Sequence, residues 1–395
     1  MTPISDPELN DLVTRLRRLR LELADANPAD RSELTTRITR LERDVQHRDW
    51  QTAATTASGD RRTEARPVGH AALRRTLATT GSGLVDLFGH DGRLRAVTVT
   101  ATRSWVSDLG PVTEIAELGH RVAGDLTALL RAVDPRIRPV VERSLARTLN
   151  RLSDLLHPAL PAAERVVVLP YRSLATLRWR MLPALAGRPV TVSPSATFWQ
   201  RAAPTPPDPP TGLTSVAGLT SVAGPGLPRA AAEADAVATT WDDGRVLTGS
   251  AATGSALTAA LHDSRVVHVA AHGTHHEQSP LFSSVQLVDG PVFAHEFQRV
   301  GVGAEHVVLS ACDVGRARVR PGEEALGLTS ALLACGVRTV VAAVSPVGDE
   351  VAEAVMTAYH RQLATGTDAA LALELIGVDQ PEARLFCAYG ADWSR

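Results

Sequence analysis

Three short runs in the second half of the chain restrict its fold more than any other feature. Residues 266–271 (VVHVAA), 307–311 (VVLSA) and 339–344 (TVVAAV) carry no Asp, Glu or Arg and are almost continuously apolar. That is the pattern of strands buried on both faces of a parallel sheet. Residues 322–335 and 350–365, between and after them, read as helices. Strand–helix–strand alternation implies a parallel sheet with helices on both faces and right-handed crossovers. Residues 166–169 (VVVL) read as a further strand of the same buried type.

The first half reads differently. At about 150 residues per domain, a chain of 395 residues makes two or three. Leu9, Leu12, Leu16, Leu19 and Leu23 recur at spacings of three and four, a single apolar seam on a helix. Ser5 and Glu8 have capping-box spacing, and Pro7 suits a first turn. Asn27-Pro28 breaks the run, and Asp30 and Glu33 head a second helix with Leu34, Ile38, Leu41 and Val45. Residues 1–50 are therefore expected to be a helical hairpin or coiled-coil appendage. So narrow a seam must pack on the body, on a second copy (self-association through residues 1–50) or on another protein. Residues 51–67 are a linker, and residues 68–157 an α+β region. That region opens on a hairpin of residues 84–88 and 94–100 around His90-Asp91-Gly92, and helices follow at 111–131 and 138–157. Residues 158–395 form the α/β domain. GLTSVA at 212–217 recurs at 218–223. Six residues are too few for a solenoid unit and fit a duplication in a loop or strand edge.

Composition narrows the chemistry. All 41 basic residues are arginine. No lysine is available for a P-loop, a Schiff base or the phosphate-pairing position of a protein kinase. A net charge of −2 gives no general attraction to nucleic acid or membranes. Cys312, Cys335 and Cys387 are odd in number and widely spaced, with no CxxC, so no disulfide framework is expected. The N-terminal sequence has no signal-peptide pattern. The longest uncharged apolar stretch, residues 325–337, is too short for a bilayer. A cytoplasmic, soluble protein is the expectation.

Two strands end in reactive groups: 266–271 runs into His272-Gly273, and 307–311 runs into Cys312-Asp313. Sites in open parallel sheets form at the carboxyl ends of strands. If these two strands are neighbours, an imidazole meets a thiol. The imidazole takes the thiol proton and the thiolate attacks a carbonyl. The N–H groups of Gly273 and Cys312 are then candidates for an oxyanion hole. A buried packing cysteine and a solvated histidine are the plainer alternatives.

The stretches HVAAHGTHHEQSPLFSSVQLVDGPVFAHEF, EHVVLSACDVG and GEEALGLTSALLACGVRTVVAAVSPVGDEVAEAVMTAYHRQL resemble the CHAT domain, a family grouped with caspases, separases and other caspase-fold cysteine peptidases. The resemblance covers about residues 155–378. It includes Val167-Val168-Leu169-Pro170, Leu182-Pro183, Ser193-Pro194-Ser195 and the strand end 223–227 (AGPGL), which precedes a helix bearing Glu233. In that family the His of an HG and the Cys of a SAC form the catalytic dyad, here matching His272-Gly273 and Ser310-Ala311-Cys312. The resemblance implies a caspase-like, mostly parallel sheet and a cysteine endopeptidase that needs no metal or organic cofactor. It implies a protein substrate, and control by a partner, an assembly or a cleavage, commonly in bacterial stress, defence or cell death. A catalytically silent adaptor of the same fold, assembling partners through its N-terminal helices, is the alternative.

Two departures from the family pattern stand out. Arg178-Trp179 replaces the usual Pro-Trp, and Ser345-Pro346-Val347 lacks the Trp that usually precedes Pro-Val. That loop resembles one lining the substrate cleft, so Ser345, Pro346 and Val347 are candidate substrate contacts, with an extended substrate pairing along 345–348. Asp313 is a further candidate, because an acidic pocket favours Arg or Lys before the scissile bond. Glu323 and Glu324 more simply open the following helix. His268, His272, His275 and His276 lie close in sequence, but no HExxH accompanies them, so they are read as a strand and a polar loop rather than zinc ligands.

Overall fold

The apolar runs of the second half fold as adjacent parallel strands. The computed structural model describes residues 67–130, 134–171, 174–175, 177–202, 217–274, 283–297, 302–310, 323–345 and 347–395, with separate positions between 12 and 41. Two units result, Met1–Arg66 and Pro67–Arg395.

In the first unit the described residues from 12 to 22 and from 33 to 41 are helical, with a turn at Asp30 between them. Leu19, Ile38 and Leu41, three of the predicted seam positions, are its buried apolar residues among those described.

The second unit opens with helix α1 (His70–Thr80), strands β1 (Ser82–His90), β2 (Arg93–Val99) and β3 (Ser104–Pro111), and helices α2 (Val112–Leu130) and α3 (Arg138–Leu156). Next come β4 (Arg165–Leu169), β5 (Val190–Val192), α4 (Ala196–Ala202), β6 (Ala217–Ala223), α5 (Ala230–Ala238), β7 (Gly244–Leu247), α6 (Gly254–Asp263) and β8 (Ser264–Ala270). Short strands β9 (Gly273–Thr274), β10 (Ser284–Leu287) and β11 (Gly290–Phe293) form a separate antiparallel sheet that leads into α7 (Ala294–Phe297). The chain ends with β12 (His306–Leu309), α8 (Glu323–Ala334), β13 (Thr339–Ala343), α9 (Asp349–Ala364), α10 (Ala369–Asp379) and β14 (Phe386–Gly390).

An 11-stranded sheet in the order β3-β2-β1-β4-β5-β14-β13-β12-β8-β6-β7 runs through this unit. The strands β7, β6, β8, β12 and β13 are mutually parallel. The strands β14, β5, β4 and β1 run together in the opposite sense, and β13 meets β14 antiparallel. Asp91 and Gly92 take φ of 50° and 70° at the β1–β2 turn, as a two-residue hairpin of this hand requires. Because β1 pairs in parallel with β4, one sheet spans both the 68–157 region and the α/β region. The second GLTSVA copy lies within β6, hydrogen-bonded between β7 and β8. The first copy lies almost wholly outside the described residues.

The VVVL run shows why continuous apolar sequence is needed. Val166 and Val168 belong to the main core, which also takes in Ile115 and Val122 of α2 and Leu149 and Leu152 of α3. Val167 and Leu169 pack on the opposite face with Leu73 and Leu77 of α1 and Trp199 of α4. Successive strand residues point to opposite faces, and here each face meets helices. The result is a mixed α/β architecture, a central sheet with helices on both faces and N-terminal helical elements.

Candidate active site

Four parallel strands end at one edge of the sheet. Ala223 of β6 stands opposite Ala270 of β8, and Leu309 of β12 stands between Val269 of β8 and Ala342 of β13. The segments that leave these ends carry Gly224 to Gly226, His272 and Gly273, Ser310, and Ser345 and Val347. The two strands expected to carry a histidine and a cysteine are thus direct neighbours.

His272 is half-buried. Its Nε2 lies 3.3 Å from the carbonyl oxygen of Gly226, so that nitrogen carries the proton and donates it. In a neutral imidazole the other nitrogen then holds a lone pair. That atom, Nδ1, is buried and has no hydrogen-bond partner among the described residues. The close approach needs Gly226. Its φ is 81°, and a Cβ there would lie 3.4 Å from His272 Nε2. Gly224 is needed on steric grounds, because a Cβ would fall 2.5 Å from Ala271 Cβ and 2.6 Å from the Gln286 oxygen.

Gly273 begins β9 and faces Val285 of β10. The preceding rung is hydrogen-bonded, with Gln286 N–H donating to His272 O at 2.8 Å. Antiparallel rungs alternate, so the Gly273 N–H points away from β10. Among the described residues a Gly273 Cβ would meet only the Ser284 oxygen, at 3.9 Å, so packing among these residues does not require glycine there.

On the neighbouring strand, Ser310 N–H donates to Val269 O at 3.0 Å. Ser310 is buried, and its hydroxyl has no partner among the described residues. Each β12 residue faces the β8 residue forty positions earlier, His306 opposite Val266 and Leu309 opposite Val269. The predicted nucleophile Cys312 and the candidate Asp313 lie outside the described residues, as do Pro346, His275 and His276. Ser345 and Val347 are described, and both side chains are turned inward. Ser345 Oγ accepts from Arg178 Nε at 2.9 Å, and Val347 packs in the main core.

Residues 143–375, more than half of the chain, match the family model of the CHAT domain. The chain belongs to the CHAT domain family. It thereby falls within the caspase-fold, cysteine-peptidase-like superfamily. Two crystal structures of the Saccharomyces cerevisiae separase–securin complex share its fold, each with a TM-score of 0.56 at 9% identity over 82% of this chain and 31% of that chain. The CHAT chain therefore spans about a third of the length of the separase chain that it matches. The complex of Porphyromonas gingivalis RgpB pro- and mature domains is similar with a TM-score of 0.39 at 6% identity, covering 71% of this chain and 77% of that chain. No curated protein matches the chain.

Beneath the edge, the CHAT domain holds a buried polar chain that the sequence did not announce. Trp241 Nε1–H, which can only donate, reaches His360 Nδ1 at 3.2 Å. His360 Nε2–H then donates to His268 Nδ1 at 3.2 Å, and His268 Nε2–H to Glu233 Oε1 at 3.0 Å. Both His268 nitrogens are thereby occupied. Burial, helped by the neighbouring His268 and His306, holds His360 well below the usual imidazole range, consistent with the neutral form this chain demands. Among the described residues no three metal-ligating side chains converge. No described helix is long and apolar enough to cross a membrane.

The two described cysteines are packing residues. Burial pushes the thiol of Cys335, in the turn after α8, up to about 11 and that of Cys387, within β14, up to about 12. Neither is a ready thiolate.

Proposed function

We propose that this CHAT domain is a cysteine endopeptidase in which Cys312 is the nucleophile and His272 the base. The observation that carries the reading is the state of His272. The Gly226 carbonyl holds the proton on Nε2, which leaves Nδ1 with a lone pair, no partner among the described residues and a place at the edge shared with β12. The pairing of β8 with β12, in which Leu309 stands opposite Val269, supports it, since the segments leaving these two strand ends start side by side.

The chemistry follows from these roles. Nδ1 takes the thiol proton, and the thiolate sulfur bonds to the scissile carbonyl carbon. The developing oxyanion is met by the N–H groups of Gly273 and Cys312, where one such donor is typically worth about 100- to 1000-fold in rate. The Nδ1 proton passes to the leaving amine as the C–N bond breaks, leaving a thioester. Water then adds to the thioester with its proton going to Nδ1, the C–S bond breaks, and the thiolate is reprotonated. The substrate is a protein segment lying extended along residues 345–348. The backbone is what Ser345 offers it, because the hydroxyl is already engaged. Asp313 remains a candidate for choosing a basic side chain before the scissile bond. Control by a partner protein or a cleavage belongs to the same reading.

The test compares wild type with Cys312→Ala on a peptide library and on the products of neighbouring genes. Cleavage only by wild type is expected, and equal cleavage by the two overturns the assignment. An electrophilic peptide should modify Cys312 faster than Cys335 or Cys387, and His272→Ala should slow it. If Cys312 reacts no faster than the others, the adaptor reading replaces this one.

A further inference from the structure

We infer that Glu233 is a positioning residue for His272, acting through His268 and the β6–α5 connection; this rests on the reading of His272 as the base. Two stretches of chain are joined three times. Gly224 N–H donates to Ala270 O at 2.8 Å. His272 Nε2–H donates to Gly226 O at 3.3 Å. His268 Nε2–H donates to Glu233 Oε1 at 3.0 Å. The carbonyl that sets the tautomer of His272 and the carboxylate that anchors helix α5 therefore belong to one segment, residues 224–233. Their partners belong to another, residues 268–272.

The geometry makes this coupling stiff. His268 and Ala270 alternate along β8 and share a face, and His272 follows two residues beyond the strand end. Ala230 and Ala234 of α5 pack with Ala223 and Ala270 of the sheet, and small side chains at these positions let helix and sheet approach. Glu233 lies in the first turn of α5 and is buried, as is His268. A carboxylate is ill placed there unless a donor meets it. The donor is fixed in sense by the indole at the far end of the chain, because Trp241 can only give a proton and each histidine then passes one on. Glu233 is the terminal acceptor of this sequence. Without it, His268 Nε2–H has no acceptor and α5 loses its only described side-chain bond to β8. The Gly226 carbonyl, seven residues before Glu233, is then no longer held against the imidazole, and Nδ1 is no longer reserved as the base.

The experiment reads the tautomer of His272 by nitrogen-15 imidazole NMR on the full chain, alongside alkylation of Cys312 by an electrophilic peptide. Wild type should show the Nε2–H form. Glu233→Gln keeps an acceptor oxygen and should retain both the tautomer and the alkylation rate. Glu233→Ala should lose the single tautomer and slow alkylation roughly tenfold to hundredfold, the scale of a misplaced catalytic group. Glu233→Asp keeps charge and helix but withdraws the carboxylate, and it should fall between them, which keeps the test open if the alanine variant does not fold. An unchanged His272 tautomer in a folded Glu233→Ala or Glu233→Asp protein overturns the inference. If the tautomer changes but His272→Ala leaves Cys312 alkylation as in wild type, Glu233 still positions His272, and it is the peptidase reading that fails.

Discussion

Arg178 donates from Nε to the hydroxyl of Ser345 at 2.9 Å, and both side chains are buried. The bond ties the segment between β4 and β5 to the loop that leaves β13 beside the proposed active site. It also gives a physical role to a departure from the family pattern, the Arg178-Trp179 pair. Ser345→Ala removes an acceptor from a buried charged donor. A loss of about 1.5–3 kcal/mol is expected, measured by urea denaturation. A loss within about 0.5 kcal/mol of zero would mean that the contact is incidental.

What was legible in the sequence was what depends on local pattern. Strands β8, β12 and β13 announce themselves because both of their faces are buried, and the β1–β2 turn because Asp91-Gly92 tolerates positive φ. Strand β3 did not, because it is the sheet edge and leaves Ser104, Val106 and Asp108 exposed, so its alternation is diluted by polar residues. The position of β14 was also hidden. A strand at the end of the chain enters the middle of the sheet between β5 and β13, a choice set by long-range pairing alone. His272 was visible as a strand-end histidine. Its tautomer was not, since Gly226 lies 46 residues away in the chain. His268 reads only as a strand residue, because Glu233 and His360 are 35 and 92 residues distant.

Arg180 should matter to stability more than any other charge near β14. Its guanidinium donates to the carbonyls of Ala383, Phe386 and Leu373 and meets Glu374 at 3.5 Å. Glu374 in turn accepts from Gly187 N–H at 2.9 Å. Arg180→Met leaves a buried carboxylate and three carbonyls without this partner. Breaking a buried pair from one side costs about 3–5 kcal/mol, so the denaturation midpoint should fall steeply. Arg180→Met with Glu374→Met should recover part of that loss in a double-mutant cycle, and simple additivity would contradict the pairing.

Thiol labelling should be one-sided. With their thiols raised to about 11 and about 12 by burial, Cys335 and Cys387 hold roughly one thiolate in a thousand or fewer at pH 8. Iodoacetamide on native protein should therefore modify Cys312 first, with peptide mapping as the readout. Cys312→Ala should abolish the rapid phase. Rapid modification of Cys387 in folded protein would mean that β14 opens readily.

Acid should unfold the protein through its buried histidines. His306 donates from Nδ1 to Thr339 O at 3.1 Å, accepts at Nε2 from the Tyr359 hydroxyl at 3.0 Å and stacks on Trp393 at 4.9 Å. Burial holds it down at about 3, with the backbone bond to Thr339 opposing and His268 assisting, and His360 is also depressed. Both are neutral when folded and take up a proton near pH 6.5 when unfolded. Unfolding therefore binds protons between these limits. The stability from keeping His306 neutral is full above about pH 6.5 and declines by roughly 1.4 kcal/mol per pH unit as pH falls towards 3. His360 adds a decline of the same sign. Urea stability measured from pH 7.5 down to 4.5 should show this slope. His306→Gln should lower stability at pH 7.5, because the stacking and one hydrogen bond are lost, yet flatten the slope by about one proton. An unchanged slope in that variant would show that His306 does not titrate on unfolding.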